Sequence, residues 1–405
     1  MKQIWKGEKR QKAEHLIGRL LAEKKSNGWT VSFQNELYFR ALRALSERTL
    51  SHGEILQTLT EMEKEGETGC RGFEKLRKAI QGKSWGNNRK WSLYMPWYVK
   101  PKPEIRLSFQ MTVAGVCFKV SNWTYSERKI RQSKLWSDLR LHCEGDREVF
   151  SGLCLSAVAT GRTPHEAWDN LTPAVDALRG CVELTFGLGS QTWSSPPRPK
   201  CAVPHPFWVV MFPDFGNPEW FHFIVDGQDI KEAELGIKTM KVLRKNTRLF
   251  RISPGDGFID ELLLDCVRLY AQAMDERLPH RALLSWWQLA EALTLSIRFN
   301  GDTKTVVRRL TWLIRSNWTT MDLTGIEESL LALAEYRNDI VHRGESRYVN
   351  EEDCNFIKLV CETALIWLAQ NRKKICSISV LEKAYLLSCQ SDHEMGNLRQ
   401  ALGFI

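Results

Sequence analysis

No stretch of this 405-residue chain holds the ~18 consecutive apolar residues that a membrane helix needs, so no membrane partner is expected. The first residues, M-K-Q-I-W-K-G-E-K-R-Q-K, lack the apolar core of a secretion signal. Cysteine is present, at 11, but the count is odd and no two stand as C-x-x-C. A disulfide framework and a zinc ribbon are therefore not expected, and reduced thiols in a cytoplasmic protein are. Residues 91–257 hold no glycine-rich phosphate loop, no carboxylate cluster and no metal-ligand spacing, so neither a cofactor nor a metal is expected.

What is there in quantity is apolar and basic. Hydrophobic residues make up 43% of the chain and include 16 tryptophans, enough for two or three cored domains. The net charge of +9 is uneven: residues 1–90 carry 19 Lys and Arg against 11 Asp and Glu, and residues 258–405 carry 17 against 20. A basic first segment either attracts a polyanion or is a solvated helical surface. The expected fold class is α+β and multidomain. It comprises a basic helical N-terminal region (1–90), a small mixed α+β domain (91–257) and an all-α helical bundle (258–405).

Helical spacing of Leu16, Ile17, Leu20 and Leu21, then of Leu37 to Leu45, then of Ile55 to Met62 after Ser51, supports the first region. Glycines and prolines over 82–104 suggest a boundary. Its Trp85, Trp91, Trp97 and Tyr98 either pack a junction or, with Arg89, Lys90 and Lys100, form a stacking platform for single-stranded RNA. Alternation over 105–121, changing parity midway, predicts one bulged strand or two strands with a turn near Ala114-Gly115, and further strands are expected at 149–160, 207–212 and 221–225. Thr163-Pro164-His165-Glu166 starts a helix whose buried face is Ala167, Leu171, Val175, Leu178 and Val182. His205 and His222 read as core or rim histidines. After the turn-rich 253–257, helices are expected over 258–275, 281–299, 303–316 and 324–344. One capped by Asn350 and Asp353 follows, then one near 379–389. Short connections favour an antiparallel bundle.

The stretch 324–344, T-G-I-E-E-S-L-L-A-L-A-E-Y-R-N-D-I-V-H-R-G, carries the chemistry. Thr324 and Glu327 have capping-box spacing, and Arg337, Asn338 and His342 lie near the C-terminal end. A guanidinium binds a phosphate bidentately, and an imidazole moves a proton near neutral pH. At about 100° per residue, Asn338 and His342 share a face, but Arg337 and His342 stand about 140° apart. One α-helix does not close both on one small group; two copies across a twofold axis would.

R-N-D-I-V-H resembles the Arg-polar-x-x-x-His signature of the HEPN superfamily, all-helical domains that include many bacterial metal-independent ribonucleases. With the following Arg-Gly and the upstream L-L-S-W-W-Q-L-A-E-A-L-T, it is similar to the ApeA-like branch of phage-defence proteins, over roughly residues 258–400. The resemblance implies a homodimeric endoribonuclease of toxin or anti-phage type, with a transfer RNA as substrate and a phage-derived trigger or a cognate inhibitor as partner. In that scheme His342 is the general base or acid, Arg337 holds the scissile phosphate, and Asn338 orients the phosphate or His342. Two other classes stay open: a non-catalytic module binding RNA or a nucleotide, and a dimeric scaffold for protein interaction. In either, Arg337 pairs with an acid, His342 is favoured by the helix dipole, and Arg343 pairs with Asp339.

Overall fold

The computed structural model describes residues 11–12, 15–17, 89–103, 108–133, 136, 150, 152–161, 164–187, 208–213, 220–223, 233–252, 257–276, 278–295, 302–315, 323–343, 349–375 and 377–388. Most of the expected N-terminal helices, Trp85 and His205 lie outside these residues. The strands are β1 (Arg89–Trp97), β2 (Val99–Pro101), β3 (Phe109–Val113), β4 (Val116–Ser121), β5 (Leu153–Gly161), β6 (Trp208–Pro213), β7 (Trp220–Phe223) and β8 (Ala233–Leu235). Six of them form one sheet in the order β3-β4-β5-β1-β6-β7, while β2 and β8 pair in parallel. Helices α1 (Thr124–Arg131), α2 (Pro164–Gly187) and α3 (Ile237–Leu249) accompany the strands. Packing divides the chain into two compact units, residues 1–93 with 158–171 and 211–220, and residues 94–157 with 172–210 and 221–405.

In the first unit the Trp91 indole donates to the Gly161 carbonyl at 2.9 Å, and Asn170 donates to the Thr160 carbonyl at 3.0 Å. Gly161 is dictated by space, since a Cβ there would stand 2.5 Å from the Ala167 nitrogen.

The expected boundary over 82–104 is a strand where it is described. Trp91, Leu93, Met95 and Trp97 alternate inward and are buried, as is Tyr98. Their period of two was masked by Pro96 and the nearby glycines, which read as breakers. These rings are core, and no stacking platform is built from them. The strands expected over 105–121 are β3 and β4, joined through Ala114 (φ 51°) and Gly115 (φ 74°). Two left-handed residues are what a two-residue hairpin matched to strand twist requires.

Helix α2 starts at Pro164, and its expected inward residues are buried from Ala167 to Val182. In the second unit it meets α4 (Phe258–Asp275) closely: a Cβ on Gly180 would stand 2.1 Å from the Val267 carbonyl oxygen. Arg179, buried, pairs with Asp275 of α4 and with Asp176 at 3.4 Å. Burial still raises the Asp176 carboxyl above its ordinary range, although Arg179 pulls it down.

The remaining helices are α5 (Pro279–Leu293), α6 (Thr303–Ile314), α7 (Leu323–Asn338), a π-helical turn (Asp339–Arg343), α8 (Glu351–Asn371) and α9 (Ile378–Ser388). Helix α8 opens with the expected capping box: Asp353 N–H donates to the Asn350 side chain at 2.7 Å, and Asn350 N–H to Asp353 at 3.0 Å. It is the spine of the bundle. Asp260 meets Arg372 at 3.6 Å and the Tyr270 hydroxyl donates to Glu362, so α4 runs antiparallel to α8. The thiols of Cys354 and Cys361 donate to the carbonyls of Pro279 and Trp286, at 3.3 and 3.7 Å. Both spacings are 75 residues, so α5 and α8 run the same way and the expected antiparallel bundle is not uniform. Glu362 also binds Lys358 at 2.7 Å, and both side chains are buried. No helix among the described residues is long and apolar enough to cross a membrane.

Candidate functional site

Arg337 sits in the last turn of α7, half-buried against α5. Its Nη2 lies 3.1 Å from Glu291 Oε1, and its Nη1 donates to Asn338 Oδ1 at 3.0 Å. The same Glu291 oxygen accepts from the indole of buried Trp287 at 3.1 Å. Two of the guanidinium's five donors are thus fixed by neighbours, which sets the plane of the fork.

Glu291 is itself held by an unusual helix end. Leu295, just past α5, is buried with φ 57°, where glycine is the usual residue. Arg309 of α6 donates to the Thr294 carbonyl at 2.8 Å, and Tyr385 of α9 to the Leu293 carbonyl at 2.5 Å. The Arg309 guanidinium also lies 5.3 Å from the centre of the Tyr385 ring. A left-handed leucine persists only where its surroundings over-determine it, and here α6 and α9 do so.

The expected single α-helix over 324–344 differs at both ends. Helix α7 takes in Leu323 and Thr324, so Thr324 is a first-turn residue and not the cap. Beyond Asn338 the chain widens into the π-helical turn that contains His342. A π-turn closes its hydrogen bonds over five residues, so i+5 takes the place that i+4 holds in an α-helix. The ~140° that an α-helix would set between Arg337 and His342 therefore does not hold across this turn. Asp339, buried at the start of this turn, pairs with exposed Arg343 at 3.1 Å, as anticipated. His342 is exposed, and Val341 beside it is 50% exposed.

The three residues singled out in the sequence thus fall into two groups. Arg337 and Asn338 touch directly; His342 lies on the following turn, facing solvent. The residue missed was Glu291. Its signal was an acid one helical turn after Trp287, beside the otherwise apolar seam of Leu283, Trp287, Ala290 and Leu293. Among the described residues no group of three or more His, Cys, Asp or Glu side chains is placed to hold a metal ion.

No family model, curated protein or solved structure matches the chain.

Proposed function

We propose that this protein is an endoribonuclease of HEPN type that cleaves RNA without a metal ion. The observation that supports the reading is the coincidence, at one helix end, of a braced Arg337–Asn338 pair and a π-turn that carries exposed His342. π-turns of this kind occur often at functional sites. In the reaction, the 2′-hydroxyl of RNA attacks the adjacent phosphorus. The bond to the 5′-oxygen breaks, leaving a 2′,3′-cyclic phosphate and a 5′-hydroxyl. His342 removes the 2′-hydroxyl proton or protonates the leaving oxygen. Arg337 binds the non-bridging oxygens as their charge grows, and Asn338 fixes its orientation.

Two copies facing each other supply the composite cleft, and an anti-phage or toxin role with a transfer-RNA target accounts for such an enzyme. Incubation of the purified protein with total RNA, followed by end-group analysis, tests this. Cyclic phosphate ends that vanish in Arg337→Ala and His342→Ala, with DNA spared and EDTA without effect, are the expected result. Inhibition by EDTA, reversed by added metal, sinks the scheme. The pairing of Arg337 with Glu291 favours a second reading, in which the arginine only ties α7 to α5 and the protein is a dimeric scaffold for protein interaction; an absence of new ends and of RNA binding is its signature.

A further inference from the structure

The strongest charge concentration in the described structure lies away from Arg337, on α3. Between residues 237 and 252 the chain has six basic residues, Lys238, Lys241, Arg244, Lys245, Arg248 and Arg251, and no acidic one. The rest of 91–257 holds 15 basic residues against 17 acidic, so the surplus of that region is this one helix. The side chains sort by face. Met240, Leu243, Asn246 and Thr247 are buried, with Asn246 donating to Thr185 of α2 at 3.1 Å. All six basic residues are exposed, and no ion pair among the described residues engages them. Four of them, with Leu249, line an open groove of about 420 Å³.

This arrangement opposes the helix that carries it. Lys241 and Lys245, like Arg244 and Arg248, are like charges at i, i+4, which repel, and Lys238 lies at the positive end of the dipole. A solvated surface helix ordinarily mixes signs. The patch also continues onto a second element. Arg372, past the end of α8, donates to the Leu249 carbonyl at 3.0 Å, and exposed Lys373 and Lys374 follow it. The α5–α8 register puts Glu291, and hence Arg337, near the same end of α8.

We propose that the exposed face of α3, extended by Lys373 and Lys374, binds the phosphate backbone of an RNA. A membrane surface is the other polyanion, but of α3's apolar residues only Ile237, at its first position, is exposed, too little apolar surface to insert between lipids. The inference rests on the RNA reading above and names the element that recruits the substrate.

The test uses full-length His342→Ala protein, so that binding is read without cleavage. Its affinity for a fluorescent RNA is measured by anisotropy from 50 to 300 mM salt. The expected log–log slope is about −3 or steeper, since each neutralised phosphate of a single strand contributes about −0.7. Replacing Lys241, Arg244, Lys245 and Arg248 by Gln should flatten the slope by about 3, and Lys241→Gln or Arg248→Gln alone by about 0.7. Circular dichroism confirms the fold of each variant, and the single variants serve if the quadruple one does not fold. An unchanged slope in the variants overturns the proposal. So does binding to phosphatidylserine vesicles in place of RNA. Salt-dependent binding without cleavage by the unmutated protein leaves this inference standing and removes the catalytic one. Cleavage that persists at undiminished kcat/KM when the same four Gln replacements are made in protein that keeps His342 does the reverse.

Discussion

Nη2 of Arg337 and Oε1 of Glu291 stand 3.1 Å apart between α7 and α5, and the Trp287 indole donates to that same oxygen. The pairing can be read two ways. As a stabilising ion pair with both side chains about a quarter exposed, it contributes roughly 1 kcal/mol or less. As a brace it sets where the guanidinium meets a phosphate, and small misplacements of such a group cost on the order of a hundredfold in rate.

The two readings separate in Glu291→Ala. We expect a stability loss of about 1 kcal/mol or less by urea unfolding, but a fall in kcat of on the order of a hundredfold. Glu291→Gln, which keeps an oxygen for Trp287 and Arg337, should recover part of the rate. A rate that merely follows the folded fraction would leave Glu291 a structural residue.

A composite cleft predicts complementation. Arg337→Ala and His342→Ala should each be inactive alone. Mixed in equal amounts and allowed to exchange, half the dimers are hybrids, and each hybrid keeps one intact Arg–His pair across the twofold. Activity should return to about a quarter of the unmutated level. A mixture as inactive as its components would place both groups on one chain.

Much of the fold was legible because it depends on period. The edges of α4, the buried face of α2, the hairpin at Ala114-Gly115 and the Asn350–Asp353 box follow from spacing and capping chemistry. β1 was not legible because Pro96 looked like a breaker, although Trp91, Leu93, Met95 and Trp97 alternate. α3 was missed because its outer face repeats one charge and its inner face includes Asn246 and Thr247, so its apolar stripe is thin. The site was half legible. Arg337, Asn338 and His342 are local in sequence, whereas Glu291 lies 46 residues away and is recruited by tertiary packing. The π-turn was invisible because an extra residue in a helical turn alters no pattern of apolar positions.

The buried pair inside the bundle makes a different prediction. Lys358 and Glu362 are 2.7 Å apart on α8, and the Tyr270 hydroxyl donates to Glu362 from α4. Removing one partner strands a charge in the core, so Glu362→Ala should cost about 3–5 kcal/mol. Replacing both, with Lys358→Met and Glu362→Leu, should recover most of that, because apolar side chains need no partner there. Equilibrium unfolding of the wild type, the single and the double variant measures it. A double variant weaker than the single would mean the pair contributes more than it costs to bury.

Asp302 gives the acid limb of stability a specific cause. Its side chain caps α6, accepting from Thr305 N–H at 2.8 Å. Hydrogen bonds from the Thr305 hydroxyl and backbone N–H hold its carboxyl below the usual carboxylate range. A carboxyl with a lowered folded value binds its proton more weakly folded than unfolded. Its contribution is therefore present above the unfolded value of about 3.9 and fades as pH falls through the folded one. At pH 7, Asp302→Ala should lose about 1 kcal/mol. Its unfolding curve should approach that of the wild type once the pH is well below about 4. Asp302→Asn, which caps without titrating, should match the wild type at pH 7 and exceed it in acid. If the gap between Asp302→Ala and wild type is the same at pH 3 and pH 7, then the cap acts through its shape alone and its charge contributes nothing to holding α6.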